Sequence, residues 1–158
     1  MSALFWSCLP LQALDAEGVY EMLALRNEVF VVEQRCLYQD TDGRDRHCLH
    51  VMGRDASGRL LAYARLLPPG LKGPQQQRAA IGRVLTSPAL RGQGQGRPLV
   101  REALRECEQR WPGVGQELSA QAHLQDFYAS LGFRATSPVY DEDGIPHIDM
   151  CRDAAPLE

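Results

Sequence analysis

The run Arg91-Gly92-Gln93-Gly94-Gln95-Gly96-Arg97 lies between a branched apolar stretch, Ile81-Gly82-Arg83-Val84-Leu85-Thr86, and a helical pattern that opens at Pro98. Glycines between a strand and a helix let the backbone take positive φ and approach a ligand closely. The helix that follows turns free N–H groups and the positive end of its dipole back into that turn. The product is an anion site made of the N–H groups from Gln93 to Arg97, suited to a pyrophosphate, with Arg91 and Arg97 as charge partners. Glycines alone would read as a loose helix start. The strand before and the helix after favour anion binding, and no Gly-Lys-Ser/Thr follows to make a nucleotide loop.

Two strand arginines come next. Alternation along Leu61-Ala62-Tyr63-Ala64-Arg65-Leu66-Leu67 sets Tyr63 and Arg65 on one face. Arg83 interrupts another apolar strand. A guanidinium in mid-strand must pair with a carboxylate or face a solvated cleft. Glu28, Glu33, Asp40 and Asp42 are the partners within reach of the pattern. A substrate pocket for a polar or carboxylate group and an internal ion pair holding the loop to the sheet both remain open. Metal chemistry is not expected. Asp40-Thr41-Asp42-Gly43-Arg44-Asp45 has its glycine too early for a calcium loop and a cation inside it. His47-Cys48-Leu49-His50 lacks a second pair to complete a tetrahedral site.

These residues must be positioned by one domain spanning 1–158: 158 residues at 44% hydrophobic can bury a real core. A net charge of −3 gives no electrostatic case for nucleic acid. No apolar run reaches the ~20 residues of a membrane span. The first ten residues lack the basic and apolar regions of a secretion signal. Five cysteines without a Cys-x-x-Cys point to reduced thiols and a cytoplasmic setting.

The expected elements begin with a strand at Leu4–Leu9. A helix follows, capped by Asp15, with Val19, Met22, Leu23, Arg26, Val29 and Phe30 at helical spacing. Val31–Gln34 either extends it or starts a second helix, and residues 35–46 form a polar loop. His47–Arg54 and Arg59–Leu67 read as a hairpin. The strand at 81–86, the glycine turn and a helix ending at Trp111-Pro112-Gly113 come next. A strand at Glu117–Gln121, a helix at His123–Leu131 closed by Gly132, strands at Phe133–Tyr140 and His147–Met150, and a frayed tail from Cys151 complete the chain. The class is an α/β, or layered α+β, domain.

That element order and the glycine turn resemble the GNAT superfamily of N-acetyltransferases. Arg91-Gly92-Gln93-Gly94-Gln95-Gly96 fits its acyl-CoA signature, and Phe127-Tyr128-Ala129-Ser130-Leu131-Gly132-Phe133 its second one. Further stretches resemble the ElaA-type branch: Leu25–Gln34, Asp40–Asp45, Ala62–Pro68, Ile81–Val84, Ser119–Ala122 and Glu142–His147. The resemblance implies a mixed, mostly antiparallel twisted sheet of six to seven strands flanked by about four helices. It also implies acetyl-CoA as co-substrate, with Val84, Leu85 and Thr86 holding its pantetheine arm through backbone groups, and Tyr128 as general acid toward the departing thiolate.

The acceptor implied is an amine of a small molecule or peptide, and a homodimer is left open. The base that takes the amine proton stays unassigned among Glu33, His50, His123 and His147. Glu33 follows the first helix, where the family builds its acceptor wall, and His123 opens the helix that carries Tyr128. Arg65, Arg83 and Glu33 are the substrate-side candidates. The acidic stretches at 40–45 and 141–143 flank that side and suit a cationic amine. An acyl-homoserine-lactone synthase shares the fold and an Arg-Leu-Leu-Pro-like strand end, here Arg65-Leu66-Leu67-Pro68, but takes acyl chains from a carrier protein. A CoA-binding regulator without activity would keep the glycine turn and dispense with Tyr128.

Overall fold

The computed structural model describes residues 3–155. Its elements run β1 (Phe5–Pro10), α1 (Ala16–Arg26), β2 (Leu49–Arg54), β3 (Leu60–Leu67), β4 (Ala79–Thr86), α2 (Gly96–Arg110), β5 (Gln116–Gln121), α3 (Gln125–Ala129), β6 (Arg134–Ala135), β7 (Tyr140–Glu142) and β8 (Ile145–Arg152). One sheet has the order β1-β2-β3-β4-β5-β8-β6, with β7 paired to β8. Every pairing is antiparallel except β4 with β5. Among the described residues there are eight strands and three α-helices, against the six to seven and about four expected.

Alternation along β3 decides which layer each side chain joins. Ala62, Ala64 and Leu66 face α2 and pack with its apolar stripe of Leu99, Val100, Ala103, Leu104 and Cys107. Tyr63 points the other way, into a second cluster with Met22 and Leu25 of α1 and with Val29 and Phe30. Each large apolar side chain removed from water in this way contributes ~1.5–3 kcal/mol. Helix α1 starts where expected, with the Asp15 carboxylate accepting a 2.7 Å hydrogen bond from the Gly18 N–H. It then runs into a π-helical turn, Asn27–Glu33, in which the Gln34 N–H reaches back to the Val29 carbonyl at 3.0 Å. The segment at 31–34 therefore extends the first helix in widened form.

Three local expectations need correction. The strand expected over Phe133–Tyr140 is two short pieces, β6 and β7, because the chain bends through Ser137 and Pro138 between them. The helix expected from His123 is a 3-10 turn, Ala122–Leu124, followed by five residues of α-helix. The tail is not frayed at its start: β8 runs through Cys151 and Arg152. Arg152 donates from Nε to the Leu131 carbonyl at 3.0 Å and from Nη1 to Gln116 Oε1 at 3.0 Å, and pairs with Glu108. One guanidinium thus ties α2, β5 and the end of α3 together. Residues 156–158 of the expected tail lie outside the described residues, as do residues 1–2.

Candidate active site

Strands β4 and β5 pair only at Ala79 with Gln116 and Ala80 with Glu117. Beyond that point they part, and a cavity of about 460 Å³ opens between them. Ile81 to Val84 form one wall, Leu118 to Gln121 the other, and Leu124 and Tyr128 also line the cavity. A parallel pair that splits leaves backbone groups on both facing edges free for an extended ligand. The split is helped by a bulge in β4. Arg65 faces Gly82 and Tyr63 faces Leu85, so β4 spends one residue more than β3, and Arg83 takes φ 51°. A left-handed arginine inside a strand costs of order 1 kcal/mol and persists only where its surroundings hold it.

Those surroundings are an ion network. Arg83 donates from Nε to Asp40 at 2.8 Å, and its guanidinium lies 5.1 Å from the centre of the Tyr38 ring. Asp40 also takes the Nε of the fully buried Arg26 at 2.7 Å, and Arg26 reaches Asp45 at 2.8 Å. Arg65 closes the network on Asp42 at 2.8 Å and Asp45 at 3.1 Å. Burial alone would raise the Asp42 carboxyl. The Arg65 hydrogen bonds, the Arg44 N–H and the charges of Arg65 and Arg83 outweigh it and hold Asp42 well below the carboxylate range. Both strand arginines are therefore ion-paired, and both also line the cavity. The carboxylates at 40, 42 and 45 are committed to these arginines and are not free to meet an amine.

The glycine turn has Gly92 at φ 79° and Gly94 at φ 71°, conformations that a residue with a Cβ adopts only under strain. Helix α2 follows with no side-chain cap at its start and with Pro98 in its first turn. Among the described residues, no protein acceptor meets the N–H groups of Gly94, Gln95, Gly96 or Arg97. Arg97 lies 5.4 Å from the Phe127 ring centre and donates to Ser130 Oγ at 2.9 Å. Arg91 pairs with Glu33 at 2.5 Å, and that hydrogen bond lowers the Glu33 carboxyl. Glu33 thus sits against the anion turn rather than inside the cavity.

Tyr128 is buried, with its ring edge-on to Phe127 and Phe133. Its hydroxyl has no hydrogen-bond partner among the described residues, yet the side chain lines the cavity. Burial pushes the phenol up to about 12. Val84 lines the cavity as well, whereas Leu85 lies in the α1-side core and Thr86 pairs with Ala62. Of the base candidates, His123 is exposed on the 3-10 turn and does not line the cavity. His50 is fully buried between the Tyr63 hydroxyl at 2.6 Å and the Asp45 carbonyl at 2.9 Å. His147 does line the cavity, with Nδ1 2.8 Å from the Ile145 carbonyl and Nε2 3.3 Å from Glu142. The carbonyl only accepts, so Nδ1 carries the proton and Nε2 is left on the Glu142 side.

Some cavity residues carried no sequence signal of their own. Tyr38 stacks on Arg83, and Gln34 accepts from Gln121 at 3.3 Å to link the π-turn to β5. No group of His, Cys, Asp and Glu able to hold a metal occurs among the described residues.

A sheet that splits between β4 and β5, with a bulge on one edge and a glycine turn opening α2, defines a GNAT-type acyltransferase. The acetyltransferase (GNAT) domain model matches residues 15–153, and the chain belongs to that family. It is 44% identical over 150 residues to protein ElaA of Escherichia coli strain K12, covering 94% of this chain and 95% of that protein. It is 46% identical over 145 residues to UPF0039 protein sll0451 of Synechocystis, covering 92% of each. The crystal structure of an acyl-CoA N-acyltransferase from Pseudomonas aeruginosa superposes with a TM-score of 0.88 at 46% identity, over 95% of this chain and 99% of that one.

Proposed function

We propose that the protein transfers an acetyl group from acetyl-CoA to the amine of a small molecule or peptide, by direct attack and with Tyr128 as general acid. The observation that carries this reading is the Tyr128 hydroxyl, unpartnered within the described residues and lining the cavity between the parted strands. The unmet N–H groups from Gly94 to Arg97 fit a pyrophosphate, and the β4 edge at Val84 fits an extended amide-bearing arm. Acetyl-CoA supplies the thioester carbon. The amine nitrogen bonds to that carbon, the carbon–sulfur bond breaks, and the amine loses one proton while the sulfur gains one.

The phenol at about 12 is fully protonated at neutral pH and always has a proton to offer. Against a thiol near ~8.5, complete transfer from it is uphill by ~5 kcal/mol. Tyr128 therefore works by sharing its proton with the sulfur as negative charge grows there, while the amine proton balances the reaction through a base. His147 is the imidazole that lines the cavity, which favours it as that base over His123 and Glu33. Cys36 is the cysteine that lines the cavity, and burial raises its thiol, which disfavours it as a nucleophile.

Unmet N–H groups in an intact glycine turn favour CoA over a carrier-protein donor of the homoserine-lactone-synthase kind. The test is acetyl-CoA consumption over a panel of amines, with Tyr128→Phe as the partner variant. A loss of ~10²-fold or more in kcat is expected. Binding of acetyl-CoA without turnover of any amine would support the regulator instead.

A further inference from the structure

The two walls of the cavity mouth carry opposite charge with hydrogen-bonding capacity to spare. On the β4 side, Arg83 spends Nε and Nη2 on Asp40 and leaves Nη1 without a partner among the described residues. Arg44 lines the same cavity, and its exposed guanidinium has no ion-pair partner among the described residues. On the β7–β8 side, Asp143 has no ion pair among the described residues and Glu142 has only His147. The two sides line one and the same cavity, with Cys36 also in its lining. Yet no guanidinium of one wall bonds a carboxylate of the other. The bare Gly82 beside Arg83 leaves open space where a side chain would stand.

Strained backbone that aims a partly free guanidinium into a cavity marks a place built for a ligand. A guanidinium with free N–H groups pairs best with a carboxylate. A carboxylate wall next to an imidazole suits an ammonium that must then lose its proton. A plain amine would satisfy only the second wall and leave Arg44 and the Nη1 of Arg83 without an acceptor.

We infer that the acceptor is a small zwitterion, an amine that also carries a carboxylate, held between Arg83 with Arg44 on one wall and Glu142 with Asp143 on the other. This rests on the N-acyltransferase reading above. The acceptor's amine faces Glu142, Asp143 and His147, and its carboxylate faces Arg44 and Arg83. An amino acid is the simplest member of the class.

The test compares amino acids with their decarboxylated partners, such as arginine with agmatine and phenylalanine with phenethylamine, in acetyl-CoA turnover. The expected preference is at least ten-fold in kcat/KM for the carboxylate-bearing member of the productive pair. Arg44→Gln changes an exposed side chain that holds nothing in the fold, so it reports on binding alone. It should shrink that preference at least three-fold, mainly through KM. Asp143→Asn keeps a residue type that tolerates the left-handed backbone there and should raise KM for both members of the pair. Equal or better turnover of the decarboxylated amines overturns the zwitterion proposal and leaves the acyltransferase reading standing. No turnover of either class, with acetyl-CoA still bound, overturns both.

Discussion

Arg26→Met removes one of three guanidiniums from a buried network that also holds three carboxylates. The Arg26 side chain is 0% exposed and spends three hydrogen bonds, two on Asp40 and one on Asp45. Methionine fills much of the stem's volume, so the perturbation is mainly electrical: the network becomes net negative where water barely reaches. Breaking a buried pair from one side costs ~3–5 kcal/mol. Asp40 keeps Arg83 and Asp45 keeps Arg65, which argues for the lower half, ~3–4 kcal/mol. At ~2–4 °C per kcal/mol for a domain of this size, the melting temperature should fall by ~6–16 °C. Urea unfolding followed by circular dichroism should lose ~1.5–2 M of midpoint at a slope of ~2 kcal/mol/M. Arg134→Gln, which breaks an exposed pair with Asp153, is the control and should leave the midpoint where it is. The penalty should also shrink as pH falls, because protonation relieves the surplus negative charge. An Arg26→Met midpoint no lower than the control's would refute the network as the element that holds the 35–48 loop and the β4 bulge.

Tyr128→Phe should keep wild-type acetyl-CoA affinity and thermal stability while kcat drops, since the hydroxyl bonds no group among the described residues; equal losses in affinity and rate would make it a structural residue. Asp42 and Asp45 are both held below their ordinary range, so the stability they contribute is complete above pH ~5 and is lost as pH falls through their lowered values. Chemical denaturation at pH 7, 4 and 3 should follow that order, and a flat profile would contradict the network. Gly94→Val forces a branched residue into φ 71° and should weaken acetyl-CoA binding at least ten-fold, measured by calorimetry. Glu33→Gln should lower kcat less than ten-fold and tighten acetyl-CoA binding by freeing Arg91; a hundredfold loss of kcat would make Glu33 the base.

What could be seen in advance was local in sequence. The strand, the glycine turn and Pro98 are contiguous, and the Asp15 cap lies three residues from the N–H it bonds, so both turned up where expected. The bulge at Arg83 was not visible, because it depends on β3 and β4 falling out of register by one residue. The partners of Arg26, Arg65 and Arg83 lie 14 to 43 residues away, and only the folded loop reveals that three aspartates are consumed there. His123 and His147 looked alike as imidazoles near the acceptor. A 3-10 turn carries the first outward, while pairing of Gln121 with His147 brings the second to the cavity wall. Arg152 looked like tail because the contacts that hold it come from α2, β5 and the end of α3.

The central claim is that the Gly92–Arg97 turn and the parted β4–β5 edges hold acetyl-CoA. Thermal unfolding of the full chain with and without acetyl-CoA tests it most directly. At ~100 times its Kd, a ligand that binds only the folded state adds ~2.7 kcal/mol. That is a rise of ~5–11 °C in Tm, which a ten-fold weaker Gly94→Val should cut by about half. An unmoved Tm at millimolar acetyl-CoA would contradict the account.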